Sequence, residues 1–369
     1  MDLELLERTL AGLGEPAYRA RQVLRWSFEG AEDYGRMTDV PARVRDQLTS
    51  SVPYSTLALV QERRARDGTV KALFRTADGR PLEAVLMRFR DGRRSVCLSS
   101  QSGCPLTCSF CATGAMRFGR NLSVSEILDQ VLHFRRREAS QGGGAERGAP
   151  SPDHVVFMGM GEPMLNLDAV LGACRELPAI GVAQRRIAIS TVGWVPGIER
   201  LTAEAMPVRL ALSLHAPDDA LRSTLMPVND RYPIAEVLAA CSEYHRRKRR
   251  RVFVEYVMLA GVNDAHAHAV ALAELLDPRA FKVNLIPYNP TDSPYAASSP
   301  KAISAFRAVL ERRGIGVTVR VERGREIEAA CGQLAAAQAP ARASPARSRR
   351  SRSSDSSSGE GSKLAMSGS

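Results

Sequence analysis

The sequence lacks the long hydrophobic runs of a membrane protein. Its 369 residues are 44% hydrophobic and 25% charged, and no apolar run approaches the roughly 20 residues that cross a bilayer. The opening stretch, MDLELLERTLAGLGEP, is acidic and amphipathic, and it has neither the basic region nor the apolar region of a signal peptide. These absences exclude residence in a membrane, and we expect a cytoplasmic protein without a membrane partner.

Cysteine is also scarce. The chain has seven cysteines, an odd number that does not suit the disulfide framework of a secreted protein. Four of the seven lie between Cys97 and Cys111, where metal binding or thiol reactivity is the better explanation. Cys174 and Cys241 lie in helical patterns among apolar neighbours, so we expect both to be structural.

Acidic residues are fewer than basic ones. The 51 lysines and arginines stand against 40 aspartates and glutamates, a net charge of +11, which suits a polyanionic partner without identifying it. Residues 335–369 hold six basic residues, two acidic residues and eleven serines, with almost no large apolar side chain. Because such a composition cannot offset the entropy cost of ordering, we expect a disordered basic tail there.

Periodicity divides the rest of the chain into three segments. Residues 1–52 repeat apolar side chains at helical spacing, which predicts a small helical domain. Residues 53–94 alternate in short apolar bursts separated by three Asp-Gly pairs, a pattern typical of a β-hairpin connector. Residues 95–334 repeat a strand, a loop and a helix.

The third segment predicts an α/β fold with parallel strands. Six strand-and-helix units favour a partial (βα)6 barrel with its chemistry at the carboxyl ends of the strands. A doubly wound sheet is the alternative layout. The predicted strands are 96–98, 154–158, 187–189, 208–212, 252–257 and 281–286, and the helices between them include 125–137, 166–177, 234–247 and 265–276.

Three thiols follow the first predicted barrel strand within eight residues: Cys104, Cys108 and Cys111. A structural zinc site takes four protein ligands, whereas an iron–sulfur cluster held by three thiolates leaves one iron open to a substrate or cofactor. An open iron implies catalysis. Zinc and metal-free buried thiols are the alternatives, although the surrounding Pro and Gly residues predict a loop, which fits buried thiols poorly.

Small and polar residues follow the other predicted strands. The second strand runs into Gly161 and Glu162, where the backbone can approach a ligand and a carboxylate can receive an ammonium group. Other strands end in hydrogen-bonding groups, which we expect at one catalytic rim. These groups are Ser190 with Thr191, Ser213-Leu214-His215, and Tyr288 with Asn289.

The spacing Cys104-x3-Cys108-x2-Cys111 resembles that of the radical S-adenosylmethionine (SAM) superfamily, whose open iron binds SAM and cleaves it to a 5′-deoxyadenosyl radical. Residues 97–104, 112–131, 159–163 and 323–334 further resemble the RlmN/Cfr family of RNA adenosine methyltransferases. The resemblance runs from the N-terminal helices to about Leu334. It implies a helical N-terminal module, a (βα)6 radical SAM barrel, a 4Fe–4S cluster and SAM.

The resemblance also implies a two-stage methylation of an adenosine at C2, a carbon too electron-poor to attack SAM directly. Cys331, as a thiolate, takes a methyl group from one SAM, and a radical made from a second SAM joins that group to the base. Glu83 matches the family's base for the C2 proton, and Cys97 matches the thiol that releases the product. We expect SAM to contact Gly161, Glu162, Ser190, Ser213, Leu214, His215 and Asn289.

The substrates implied by the resemblance are an adenosine of 23S rRNA and the adenosine at position 37 of tRNA. We expect a monomer that draws electrons from an unidentified donor and takes the adenosine unstacked. The densest basic run of the body, residues 245–251, is either an RNA contact or a solvated surface. Two other functions stay open: a Cfr-type enzyme that methylates C8, and a zinc-bearing RNA-binding protein without catalysis.

Overall fold

The structure is a computed structural model that describes residues 1–141, 151–321 and 323–335. The predicted basic tail, apart from Ala335, lies outside these residues. Within the described ranges, no helix is both long enough and apolar enough to cross a membrane.

Three helices fill the N-terminal segment. They pack around an apolar core of their own, distinct from the core of the rest of the chain. Gly30 ends the second helix in the left-handed conformation, with a φ of 98°. The helices are α1 (Leu3–Gly12), α2 (Tyr18–Glu29) and α3 (Ala42–Ser51).

An antiparallel meander follows, formed by β1 (Leu57–Arg64), β2 (Val70–Thr76) and β3 (Pro81–Arg88). The Asp-Gly pairs lie in the turns, and their three glycines have φ values of 82°, 78° and 85°, which glycine adopts without steric cost. The meander is continuous with the barrel, because β3 pairs antiparallel with the first barrel strand, β4 (Arg94–Cys97).

The barrel alternates strands and helices. Two strands of two residues each, β5 (Gln101–Ser102) and β6 (Arg120–Asn121), pair only with each other. The long strands are β7 (His154–Phe157), β8 (Ile187–Thr191), β9 (Arg209–Ser213), β10 (Val252–Met258), β11 (Phe281–Pro287) and β12 (Gly316–Val319). The helices are α4 (Ala112–Ala115), α5 (Val124–Gln141), α6 (Leu167–Glu176), α7 (Val195–Ala203), α8 (Asp219–Leu225), α9 (Ile234–Lys248), α10 (His266–Leu275) and α11 (Pro300–Arg312).

The long strands form one sheet in the order β1-β2-β3-β4-β7-β8-β9-β10-β11-β12. Neighbours from β4 to β12 run parallel. Because the order follows the sequence and never reverses, the fold is a partial barrel and not a doubly wound sheet. The predicted α/β fold is confirmed, and β12 is a seventh parallel strand that the periodicity did not predict.

Arg222 joins the loops at the carboxyl ends of two barrel strands. Its side chain is fully buried on α8, and the guanidinium donates to the carbonyls of Val192, after β8, and Leu214, after β9. It also donates to Asn229 Oδ1 at 2.8 Å. Burial lowers the pKa of Arg222 to about 10, so the side chain stays charged at neutral pH.

We expect Arg222→Met to lower the free energy of unfolding by about 3 kcal/mol, because it leaves several buried acceptors without a donor. Urea unfolding followed by circular dichroism measures the change. The matched control is Arg200→Met, which removes only an exposed ion pair with Asp168 and should cost less than about 1 kcal/mol. Equal losses from the two variants would contradict the role given to Arg222.

Candidate active site

The three thiols predicted to hold the cluster line one cavity of about 510 Å³ at the carboxyl end of the barrel. Their loop connects β5 to α4, and it is tightly folded: a side chain at Gly114 would place its Cβ 2.8 Å from the carbonyl oxygen of Cys108. Burial raises the pKa of all three thiols, that of Cys104 to about 12. Without a cation, the three sulfurs are therefore protonated.

This donor set fits an iron–sulfur cluster. The three thiols share one cavity, and cysteine thiolates are the ligands that hold such a cluster, each on one of its irons. The cavity also reaches Gly161 and Glu162, which leaves space for a ligand beside an open iron.

A larger cavity of about 770 Å³ adjoins the first. Five of the predicted SAM-binding residues line it, namely Gly161, Glu162, Ser190, Ser213 and His215. Gly161 has a φ of 97°, and a Cβ there would lie 2.5 Å from the side chain of Gln101. Only glycine therefore fits this turn, which brings the backbone to the cavity wall.

Glu162 presents a fixed carboxylate to this cavity. One oxygen accepts a hydrogen bond from the N–H of Met164 at 3.0 Å, and the other accepts from the N–H of Val192 at 2.9 Å. Burial raises the pKa of Glu162 to about 7. An ammonium group bound beside it would favour the ionised form, because opposite charges attract strongly in a site that excludes water.

His215 presents a neutral imidazole. Its backbone has a φ of 61°, and its Nδ1 accepts a hydrogen bond from the N–H of Val257 at 3.0 Å. Burial lowers the pKa of His215 to about 3. The ring therefore carries its single proton on Nε2, which makes it a hydrogen-bond donor and not a charge at neutral pH.

Two predicted SAM-binding residues do not line this cavity. The side chain of Leu214 is fully buried, and its N–H and carbonyl are bonded to Glu255 and Arg222. Asn289 lines a third cavity, where its Nδ2 donates to the carbonyl of Cys331 at 3.5 Å. Its buried Oδ1 has no hydrogen-bond partner among the described residues, which suits contact with a ligand donor.

The third cavity, of about 500 Å³, brings Cys97 and Cys331 together. Cys97 ends β4 and is buried, whereas Cys331 is half-buried. Burial, with the neighbouring Cys331 as a second cause, raises the pKa of Cys97 to about 12. Cys331 also lines the 770 Å³ cavity, so this residue borders both the predicted SAM site and the cavity of the second thiol.

The segment that carries Cys331, residues 323–335, folds back over the sheet. The N–H of Ala112, directly after the last cluster cysteine, donates to the carbonyl of Gly332 at 2.8 Å. On the other side, Gln333 Nε2 donates to the carbonyl of Pro290 at 2.9 Å. These bonds fix the Cys331 loop between the cluster loop and the end of β11.

Glu83 lies beneath the same segment. Its carboxylate is buried, with Oε1 3.1 Å from Lys71 Nζ, and Oε2 accepts a hydrogen bond from the N–H of Ala335 at 3.0 Å. A glutamate in a hairpin is usually solvated. This one is buried instead, against residues 323–335, although the walls of the three cavities described above do not include it.

Sequence reasoning missed Arg320, which directly follows β12. Its guanidinium is 4.0 Å from Glu255 Oε2, and the residue lines the same cavities as Cys331. The proximity of Cys331 raises the pKa of Arg320. The alternating residues Gly316–Val319 could have predicted a seventh strand. Arg320 would then have been placed at the catalytic rim, where the carboxyl ends of barrel strands lie.

The basic run 245–251 lies at the other end of the barrel. It spans the end of α9 and the residues that precede β10. Val257, which lines the 770 Å³ cavity, lies five residues after the first residue of β10, a distance of about 17 Å along the strand. Arg246 and Arg247 both pair with Glu243. The structure therefore does not bring this run to the site.

Comparisons with known proteins agree with this geometry. The radical SAM superfamily matches residues 98–273. A radical SAM methyltransferase from Sphaerobacter thermophilus superimposes with a TM-score of 0.85 at 46% identity, over 91% of this chain and 98% of that one. Fold and site together are those of a radical SAM methyltransferase.

More similar proteins identify the family within the radical SAM methyltransferases. Residues 1–52 match the ribosomal RNA large subunit methyltransferase N-terminal domain. The probable dual-specificity RNA methyltransferase RlmN of Frankia casuarinae is 49% identical to this chain, over 92% of this chain and 82% of that protein. The protein of the same description from Thermus thermophilus is 46% identical, over 90% of this chain and 92% of that protein. The chain belongs to the RlmN family, and its cofactors are a 4Fe–4S cluster and SAM.

We expect replacement of Cys104, Cys108 or Cys111 by alanine to abolish iron binding and SAM cleavage together, because each thiolate holds one iron. Iron analysis of anaerobically purified protein should find about four irons per chain in the wild type. Cys241→Ala, a buried cysteine on α9, is the control and should retain iron. Formation of 5′-deoxyadenosine by the triple variant would contradict the cluster assignment.

Replacing Arg246, Arg247 and Arg251 by glutamine should leave RNA affinity and its salt dependence unchanged, because these side chains lie far from the site. The measurement is RNA binding over a series of salt concentrations. A logarithmic slope that falls by about 0.7 per removed charge would show that RNA does reach this surface.

Proposed function

We propose that this enzyme methylates C2 of an adenosine in 23S rRNA and in tRNA, at position 37 in the latter, using Cys331 as the methyl carrier. One observation carries the proposal: Cys331 lines both the cavity formed by the predicted SAM-binding residues and the cavity that contains Cys97. A carrier thiol needs access to the methyl donor on one side and to the releasing thiol on the other.

The chemistry of adenine explains the need for a carrier. C2 lies between two ring nitrogens and is too electron-poor to displace the methyl group of SAM. A thiolate displaces it readily. Arg320 and Cys331 line the same two cavities, so a cationic side chain is close to the sulfur that receives the methyl group.

The bound cluster supplies the electron that cleaves a second SAM to a 5′-deoxyadenosyl radical. The protein's own role is to hold the methyl group on Cys331 beside the 770 Å³ cavity. The bonds from Ala112 and Gln333 fix the Cys331 loop, and such fixed geometry is what transfer between bound groups demands.

Two residues complete the reaction after the methyl carbon has joined C2. Glu83, a buried carboxylate beside the Cys331 segment, accepts the C2 proton, and the unpaired electron that radical addition leaves on the ring departs, for which a bound cluster would be the acceptor. Cys97 then attacks the sulfur of Cys331 and breaks its bond to the methylene carbon, which takes up a proton to become the methyl group as the Cys97 thiol loses one. The methylated base is released, and a disulfide joins the two cysteines. Their shared cavity supports this pairing.

We expect Cys97→Ala to accumulate protein covalently bound to RNA, because loading and addition proceed but no thiol releases the product. Cys331→Ala should give free protein and free RNA, since no methyl group is loaded. A denaturing gel of both variants and the double variant, purified from cells, distinguishes them. Cys174→Ala, a buried helical cysteine, is the control and should turn over normally.

The outcomes separate the assignments. An adduct that persists in the double variant would exclude Cys331 as the attachment point, and normal product from Cys97→Ala would exclude Cys97 as the releasing thiol. Nucleoside mass spectrometry of the wild-type product tests the position. Finding 8-methyladenosine would favour the Cfr-type reaction, and a zinc-containing protein without product would favour a binding function.

A further inference from the structure

Lys71 shares one face of the sheet with two residues of the proposed reaction. On the meander, Lys71 lies opposite Val85, and Val85 lies opposite Cys97 on β4. Directly opposed residues of antiparallel strands project to the same side, as do residues two apart on one strand. Lys71, Glu83 and Cys97 therefore face the same way, towards the segment 323–335.

Lys71 and Glu83 together hold both ends of the loop that carries Cys331. Lys71 Nζ lies 3.1 Å from Glu83 Oε1 and donates a hydrogen bond to the carbonyl of Glu328 at 3.2 Å. Glu83 Oε2 accepts from the N–H of Ala335 at 3.0 Å. One ion pair thus binds the loop three residues before Cys331 and four residues after it.

Stability alone does not account for this pair. The two side chains are only 6% and 3% exposed, and a buried ion pair is often no more stabilising than apolar residues of the same volume. Two apolar side chains at these positions would pack against the meander, but they would bind neither Glu328 nor Ala335. What the ion pair adds is the placement of a loop and the charge of a carboxylate.

We propose that Lys71 is a positioning residue that holds the Cys331 loop in place and, through their ion pair, orients Glu83 for removal of the adenosine proton. This inference rests on the proposed function. In that step a Glu83 oxygen takes up the C2 proton, the electron pair of the C–H bond returns to the ring, and the unpaired electron left by radical addition leaves the ring, for which a bound cluster would be the acceptor.

Three substitutions separate the two tasks of Lys71. Lys71→Gln keeps a hydrogen-bond donor but loses the charge, Lys71→Met loses both, and Lys71→Arg keeps both. Lys282→Gln, a half-buried lysine on β11, is the matched control. The readouts are methyladenosine formed per 5′-deoxyadenosine, the isotope effect with RNA deuterated at C2, and hydrogen–deuterium exchange of residues 323–335.

In Lys71→Gln we expect exchange as in the wild type, with product per 5′-deoxyadenosine reduced at least about tenfold, since general bases contribute this much or more. The isotope effect should rise because proton removal becomes slower. Lys71→Met should lose product and exchange faster over 323–335, and Lys71→Arg should restore both readouts.

A product ratio and isotope effect in Lys71→Gln equal to those of Lys282→Gln would overturn the role in proton removal. Unchanged exchange in Lys71→Met would overturn the role in holding the loop. Failure of the proposed function is distinguishable, because it shows in the wild type as absence of 2-methyladenosine. The exchange measurement still tests the placement of the loop in that case.

Discussion

A backbone hydrogen bond between Ala112 and Gly332 joins the two halves of the active site. Ala112 follows the last cluster cysteine, and Gly332 follows the proposed methyl carrier. The main-chain positions of the two cysteines are therefore fixed relative to each other. Chemistry that passes a one-carbon group between bound partners requires this rigidity, because small displacements of reacting groups cost large factors in rate. Other contacts around the Cys331 loop reinforce the same placement.

Burial sets the charge states around that bond. Glu162 and His215 are both buried, yet desolvation acts on them in opposite ways: it raises the pKa of the carboxyl and lowers that of the imidazole. Both shifts favour neutral groups. A bound ligand with a positive charge therefore ionises Glu162 without charging His215. Arg320 stays cationic and lines the same cavity as Cys331.

The sequence predicts those features that depend on local chemistry. Asp-Gly pairs predict the turns of the meander, and apolar runs predict six of the seven parallel strands. The cluster cysteines are predicted by spacing alone. Features that depend on distant parts of the chain were not predicted. The position of Arg320 can be predicted only if β12 is known to join the sheet. The pairing of Glu83 with Lys71 can be predicted only if the register of β2 against β3 is known. Leu214 was placed in the site because it lies between two cavity-lining residues, although alternation along the chain turns its side chain into the core.

The contacts that hold the Cys331 loop to the meander join residues far apart in the chain. Lys71 and Glu328 are separated by 257 positions, and Glu83 and Ala335 by 252. Closing so long a loop costs entropy before any contact offsets it. We therefore expect the barrel and the meander to form before the segment that carries Cys331 docks. We also expect this segment, which lies outside the strands of the sheet, to open before the core strands do when the native state fluctuates. Chains caught before docking, or after such an opening, have a complete SAM-cleaving barrel but no methyl acceptor in place.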